Sequence, residues 1–72
     1  MQSMNLKLEC EQESDGRSLA EVPQLPGVLA YGANAEDAMA KAEALALRVL
    51  AERLENGEAG PLAINISLQT VA

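Results

Sequence analysis

The sequence predicts one α+β domain, three antiparallel strands followed by a long helix and a further strand (β-β-β-α-β), and three observations carry that expectation. Near the start Leu6, Leu8 and Cys10 alternate with Asn5, Lys7, Glu9 and Glu11, the period of a strand with one face on a core. Near the end Leu62, Ile64, Ile66 and Leu68 alternate with Ala63, Asn65 and Ser67 in the same way. Between them, residues 35–55 are rich in Ala and Leu and hold no Gly or Pro, behind a capping Asn34 and ahead of Asn56-Gly57. The stretch from Pro23 to Ala38 is the pivot, because it joins the early strands to the helix and so fixes how sheet and helix meet.

The first strand spans Met4 to Glu13 and meets a turn at Ser14-Asp15-Gly16-Arg17, with Asp and Gly where a hairpin needs positive φ. Strand two, Ser18 to Val22, puts Ala20 and Val22 on the buried side. Pro23 and Pro26 then interrupt any regular ladder, since each lacks an N–H donor. Pro26-Gly27 supplies a tight reversal, Val28 to Tyr31 a short third strand, and Gly32 a permissive backbone. At the helix start Asn34 caps, Asp37 forms a weak capping box, and Glu36 and Asp37 suit the positive end of the macrodipole.

On a wheel centred at Leu45, the residues Ala38, Val49, Ala42, Ala46, Met39 and Leu50 form the apolar stripe, opposite Lys41, Arg48, Asp37, Glu52 and Glu55. Leu47 and Leu54 lie beyond it, a wider apolar surface than one sheet requires, and are expected at an oligomer interface. The last strand, Leu62 to Val71, should turn Leu62, Ile64, Ile66 and Leu68 toward the helix. A strand, a covering helix and another strand usually make a crossover to a parallel neighbour. That gives sheet order 3-2-1-4, with the helix on one face and the other face partly open.

Composition narrows the function. A chain of 72 residues buries only about 60% of the surface its unfolded form exposes, and this one has a single Tyr and no Phe or Trp to enlarge the core. One cysteine rules out an internal disulfide, and the absence of His removes the commonest transition-metal ligand. Association is the remaining route to stability, so a homo-oligomer, dimer or tetramer, is expected. With 11 acidic residues against 5 basic and a net charge of −6, direct nucleic-acid binding is opposed and a basic partner is favoured. No apolar run is long enough to span a bilayer, and Met1-Gln2-Ser3-Met4 lacks the features of a signal peptide, so a cytoplasmic protein with Cys10 reduced is expected. Residues 59–72 carry no charge, yet the predicted order makes this strand a sheet edge, where proteins usually place a blocking residue. Ile64, Asn65, Ile66 and Ser67 are therefore expected to pair with a second copy or a partner's strand.

Taken together, Asp15-Gly16, the run Ala20-Glu21-Val22-Pro23-Gln24-Leu25-Pro26-Gly27-Val28, Tyr31-Gly32, and Glu36-Asp37-Ala38 before an Ala/Leu-rich helix resemble the HicB-like family of bacterial antitoxin domains. The likeness covers almost the whole chain, and it implies that residues 1–72 form a single HicB-like domain. It implies a partial ribonuclease-H-like fold and a protein that binds and sterically neutralises HicA, a small basic toxin that cleaves messenger RNA. On that reading Glu21, Gln24, Leu25 and Tyr31 contact the toxin. Many members add a C-terminal ribbon-helix-helix or helix-turn-helix segment that binds promoter DNA; this sequence stops with the fourth strand, so it is expected not to bind DNA directly. The position after Pro26-Gly27, often cysteine in relatives, is Val28, which points to packing there and not thiol chemistry.

A fold of that kind also hosts two-metal nucleases, whose site needs acids converging from the first strand, the helix and the last strand. Glu9 or Glu11 and Glu43 could supply two. The last strand offers only Asn65, Ser67 and Gln69, so Glu9, Glu11 and Glu13 read as a solvated strand face and no enzyme or cofactor is expected. Cys10, in phase with Leu6 and Leu8 and with no His to activate it, reads as a buried small hydrophobe. The alternative to an antitoxin is a stand-alone oligomeric interaction module.

Overall fold

The computed structural model describes residues 2–70. Strand β1 (Gln2–Gln12) runs antiparallel to β2 (Ser18–Glu21), which runs antiparallel to β3 (Leu29–Gly32); after helix α1 (Ala35–Glu55), strand β4 (Leu62–Thr70) returns parallel to β1. The sheet order is β3-β2-β1-β4. The expected class, element order and strand order hold, with β1 beginning two residues earlier than its alternation suggests. Val71, expected at the end of the last strand, lies outside the described residues.

Each connection follows from its residues. In the first, the Gly16 N–H donates to the Glu13 carbonyl at 3.0 Å and the Glu13 N–H to the Arg17 carbonyl at 2.7 Å. Only Gly16 takes positive φ there, at 93°, while Asp15 keeps an ordinary backbone and accepts the Arg17 N–H on its side chain at 3.0 Å. The second connection is two consecutive turns, each with proline in its second position. The Leu25 N–H reaches the Val22 carbonyl and the Val28 N–H reaches the Leu25 carbonyl, both at 3.0 Å, with Gly27 at φ 90°. Proline presets the second residue of each turn, Gln24 is third in the first and Gly27 third in the second, and the pair of turns folds Leu25 and Val28 inward.

The helix is capped at both ends as its sequence requires. Asn34 Oδ1 accepts the Asp37 N–H at 2.8 Å, and Asp37 Oδ2 accepts the Ala33 N–H at 3.2 Å, one residue before the position a standard capping box uses. At the other end Gly57, at φ 74°, donates to the Leu54 carbonyl at 3.3 Å and Glu58 donates to the Arg53 carbonyl at 2.8 Å. This is the Schellman arrangement, which satisfies the last carbonyls.

Packing departs from expectation in two respects. The buried stripe of α1 is Ala38, Ala42, Ala46 and Leu50, with Met39 and Val49 half-buried beside it and Leu45 at its exposed margin. The stripe centres on the alanines because the sheet beneath offers Ala20, Ala30 and Gly32, and small residues on both sides bring the backbones close. Gly32 marks the closest approach: a Cβ added there would lie 2.4 Å from the Ala38 nitrogen. Its φ is not positive, so the glycine is required by proximity and not, as the sequence suggested, by backbone conformation.

The second departure is larger. α1 lies over β3, β2 and β1. In the parallel register Met4, Leu6 and Leu8 stand beside Ile64, Ile66 and Leu68, so β4 does turn its apolar residues to the helix side. The helix nonetheless leaves that flank open, and Ile64 is 36% and Leu68 59% exposed, while Leu62 and Ile66 are half-buried. β4 contributes nothing to the fully buried core, which is built from β1, β2, the double turn and α1. Because β1 pairs with β2 only from Glu9 to Gln12 but with β4 from Gln2 to Cys10, the β1–β4 ribbon runs past the short strands. The molecule is accordingly 41 × 18 × 16 Å, with a radius of gyration of 12.9 Å against about 11 Å for a compact chain of this length.

Candidate functional site

Two surfaces are left uncovered by this architecture. The first is the sheet face away from the helix. Since side chains alternate across a strand, burying Leu6, Leu8, Cys10, Ala20, Val22 and Ala30 under α1 sends the odd-numbered residues of these strands to the opposite face. That face collects Lys7, Glu9 and Glu11 from β1, Leu19 and Glu21 from β2, and Leu29 and Tyr31 from β3. The registers set Glu21 between Glu9 and Leu29, and Leu19 between Glu11 and Tyr31. A small apolar patch of Leu19, Leu29 and Tyr31 therefore abuts three carboxylates, with a hollow of about 90 Å³ lined by Glu9, Cys10, Glu11, Leu19 and Glu21.

Glu9 and Glu21 are direct cross-strand partners, an arrangement of like charge that weakens a sheet. Among the described residues no ion pair relieves it, although Lys7 stands two residues from Glu9 on the same face. Arg17 packs 4.5 Å from the centre of the Tyr31 ring, but its Nε is held by Asp15 Oδ2 at 2.8 Å. The remaining ion pair among the described residues, Lys41 with Asp37 at 3.1 Å, is on the helix. Hydrogen bonds from Arg17, first its backbone N–H and then its side chain, hold the Asp15 carboxyl below the usual carboxylate range. Lys41, and then the Ala33 N–H, do the same for Asp37. Among the described residues the carboxylates of Glu9, Glu11 and Glu21 form no ion pair, so the open face keeps a net negative rim beside Lys7.

Of the residues expected to meet a toxin, Glu21 and Tyr31 lie on this face, Tyr31 being 43% exposed. Gln24 is exposed beside it, its Oε1 accepting the Lys7 N–H at 3.2 Å across the unpaired margin of β1. Leu25 is different: it is 2% exposed and packs in the core, because the double turn folds it under the sheet end. It cannot contact a partner while the fold is intact. Leu19 and Leu29 were missed by sequence reasoning, although two leucines out of phase with Ala20, Val22 and Ala30 were the available signal.

The second surface is the outer edge of β4 with its open apolar flank. Asn65 Nδ2 donates to Asn5 Oδ1 at 3.2 Å and Ser67 Oγ to the Leu6 carbonyl at 3.4 Å, so both polar side chains bind β1 on the face away from the helix. Ile64 and Ile66 are on the helix side, where Ile66 touches the core and Ile64 is 36% exposed. Leu47 and Leu54 are exposed on α1, consistent with their position beyond the buried stripe.

The acids weighed for metal chemistry do not converge. Glu9 and Glu11 lie on the open face, whereas Glu43 rides on α1 beyond the other face, and among the described residues no group of three or more Cys, Asp or Glu is placed to hold a metal ion. Cys10 is buried, its Sγ 4.0 Å from the Ala35 carbonyl. No helix among the described residues is long and apolar enough to cross a membrane. No family model, curated protein or solved structure matches this chain.

Proposed function

We propose that this chain is a non-catalytic binding protein that neutralises a small basic, messenger-RNA-cleaving toxin of the HicA type by covering its active surface. One observation carries the reading: the open sheet face is an apolar patch of Leu19, Leu29 and Tyr31 bordered by Glu9, Glu11 and Glu21, none of which has an ion-pair partner among the described residues. A hollow of about 90 Å³ is smaller than the concave pocket that normally holds a small molecule, so the face suits a macromolecular surface better. Its unpaired carboxylates suit Lys and Arg. Charge complementarity would speed the encounter, and burial of the patch, with Tyr31 as its anchor, would hold the complex. The net charge of −6 favours the same class of partner. The working unit in this reading is a homo-oligomer acting in the cytoplasm, with no contact to nucleic acid of its own.

The test is inhibition. Added in equal amount to a HicA-type toxin, the chain should protect a messenger RNA from cleavage, and Glu21→Lys combined with Tyr31→Ala should remove that protection while leaving the far-UV circular dichroism unchanged. Both residues are exposed, so the pair reads binding and not folding. Retained protection by the double variant would move the contact to another surface. Failure to bind any HicA-type toxin would leave only an oligomeric interaction module.

A further inference from the structure

We infer that two copies of this chain join through the outer edges of β4, antiparallel about a dyad normal to the sheet, giving one continuous eight-stranded sheet with both helices on the same side. The inference rests on the homo-oligomer in the reading above and not on the identity of its partner.

β3 and β4 are the outer strands of the sheet, and the margin of β1 ahead of Glu9 is also unpaired but carries Lys7 and is partly met by Gln24. β3 is only four residues long, and a short edge is itself a guard against pairing. β4 is nine residues long, a contact of about 30 Å, and residues 59–72 contain no Lys, Arg, Asp or Glu to block it. Its unpaired N–H and C=O groups are open to another strand. In a chain of net charge −6 a second copy is repelled from most of the surface, so a self-contact must sit where charge is missing. A basic partner finds its carboxylates on the open face and none on β4.

The strand is also complementary to itself. From Leu62 to Gln69 its even-numbered residues share the helix side and its odd-numbered residues the open side. An isologous edge contact must be antiparallel and must keep the two helix sides together, so paired residue numbers must have an even sum; a slip by one would set apolar against polar. The register that pairs all nine residues places Ile66 opposite Ile66 of the second copy. Ile64 then meets Leu68 of the second copy, and Asn65 meets its Ser67. Leu68, at 59% the most exposed large apolar side chain among the described residues, gains an isoleucine neighbour, and each such pair occurs twice. Both open faces then lie on one side of the assembly.

Sedimentation velocity over micromolar to millimolar protein tests this, with circular dichroism as the folding control. The parent should sediment at twice its 7.6 kDa. Ile64→Lys with Leu68→Lys, which sets like charges opposite at both pairs, should be monomeric; Ile64→Lys with Leu68→Glu, which sets opposite charges there, should recover the dimer. A monomeric parent at every concentration would overturn this inference and the homo-oligomer together. A dimer that survives the double lysine, or that the lysine–glutamate pair fails to restore, would overturn the β4 interface alone. Should the double-lysine variant unfold, mild oxidation of Ile66→Cys decides: the dyad brings the two positions within the Cα distance a disulfide spans, and a covalent dimer is expected. Its absence under those conditions counts against the interface.

Discussion

Gly32→Ala is the sharpest test of how sheet and helix meet. The added methyl would lie 2.4 Å from the Ala38 nitrogen, 2.8 Å from its Cα and 2.8 Å from Asp37 Oδ2. Ordinary contacts begin near 3.5 Å, so the first turn of α1 must retreat by about 1 Å. It cannot retreat freely, because Ala38 is fully buried and the turn is tied by the Asn34–Asp37 and Asp37–Ala33 hydrogen bonds. Overpacking of this kind costs about 1–3 kcal/mol and disturbance of the cap about 1 kcal/mol more, offset by roughly 0.5 kcal/mol from the stiffer unfolded chain. A net loss of about 2–3 kcal/mol is expected, against a total of roughly 4–11 kcal/mol for a chain of this length. At fixed protein concentration the thermal midpoint should fall by about 10–20 °C. Gly60→Ala is the control, since its Cβ would meet nothing within 4 Å and its φ is not positive; it should leave the midpoint unchanged or slightly raised. A Gly32→Ala midpoint within about 2 °C of the parent would refute the close-approach argument.

Other expectations follow from single contacts. Leu25→Ala should lower the urea-unfolding free energy by about 2–5 kcal/mol, as for a core leucine and unlike a surface contact. Asn34→Ala should lower it by about 1 kcal/mol, read in the same titration, because the Asp37 N–H loses its acceptor. Glu21→Gln relieves the repulsion with Glu9, so the free protein should gain a few tenths of a kcal/mol while association with a basic toxin slows, most visibly at low salt in stopped-flow mixing. Asp37 and Asp15 titrate below their ordinary 3.8 when folded. Each therefore stabilises the fold above that value and loses its contribution as pH falls through the lower, folded one. Asp37→Ala should flatten the acid side of the stability profile below about pH 4, measured by urea midpoints; an unchanged slope there would remove Asp37 from the account.

Alternation along β1 and β4 was legible because period two names a strand and its faces, and Asn34 and Gly57 announced the helix ends through the groups each supplies. The placement of the helix was not. Periodicity says which side of β4 is apolar, not whether a helix 21 residues long will reach it, and here the close fit of Ala38, Ala42 and Ala46 on Ala20, Ala30 and Gly32 draws the helix toward β3. Leu25 misled for a related reason: between two prolines there is no period to read, and its burial depends on two turns acting in series. The open face was half legible, its acids visible as a polar strand face but Leu19 and Leu29 hidden among ordinary leucines.

Tyr31 is the one aromatic side chain in the chain, and it stands on the open face under Arg17. The protein's own ultraviolet emission therefore comes from a single known spot. Light from that spot should change when the guanidinium is displaced, and it should stay silent to events at β4, three strand spacings or roughly 14 Å across the sheet. The molecule thus carries an intrinsic optical reporter that distinguishes the docking of a foreign protein from the pairing of like with like.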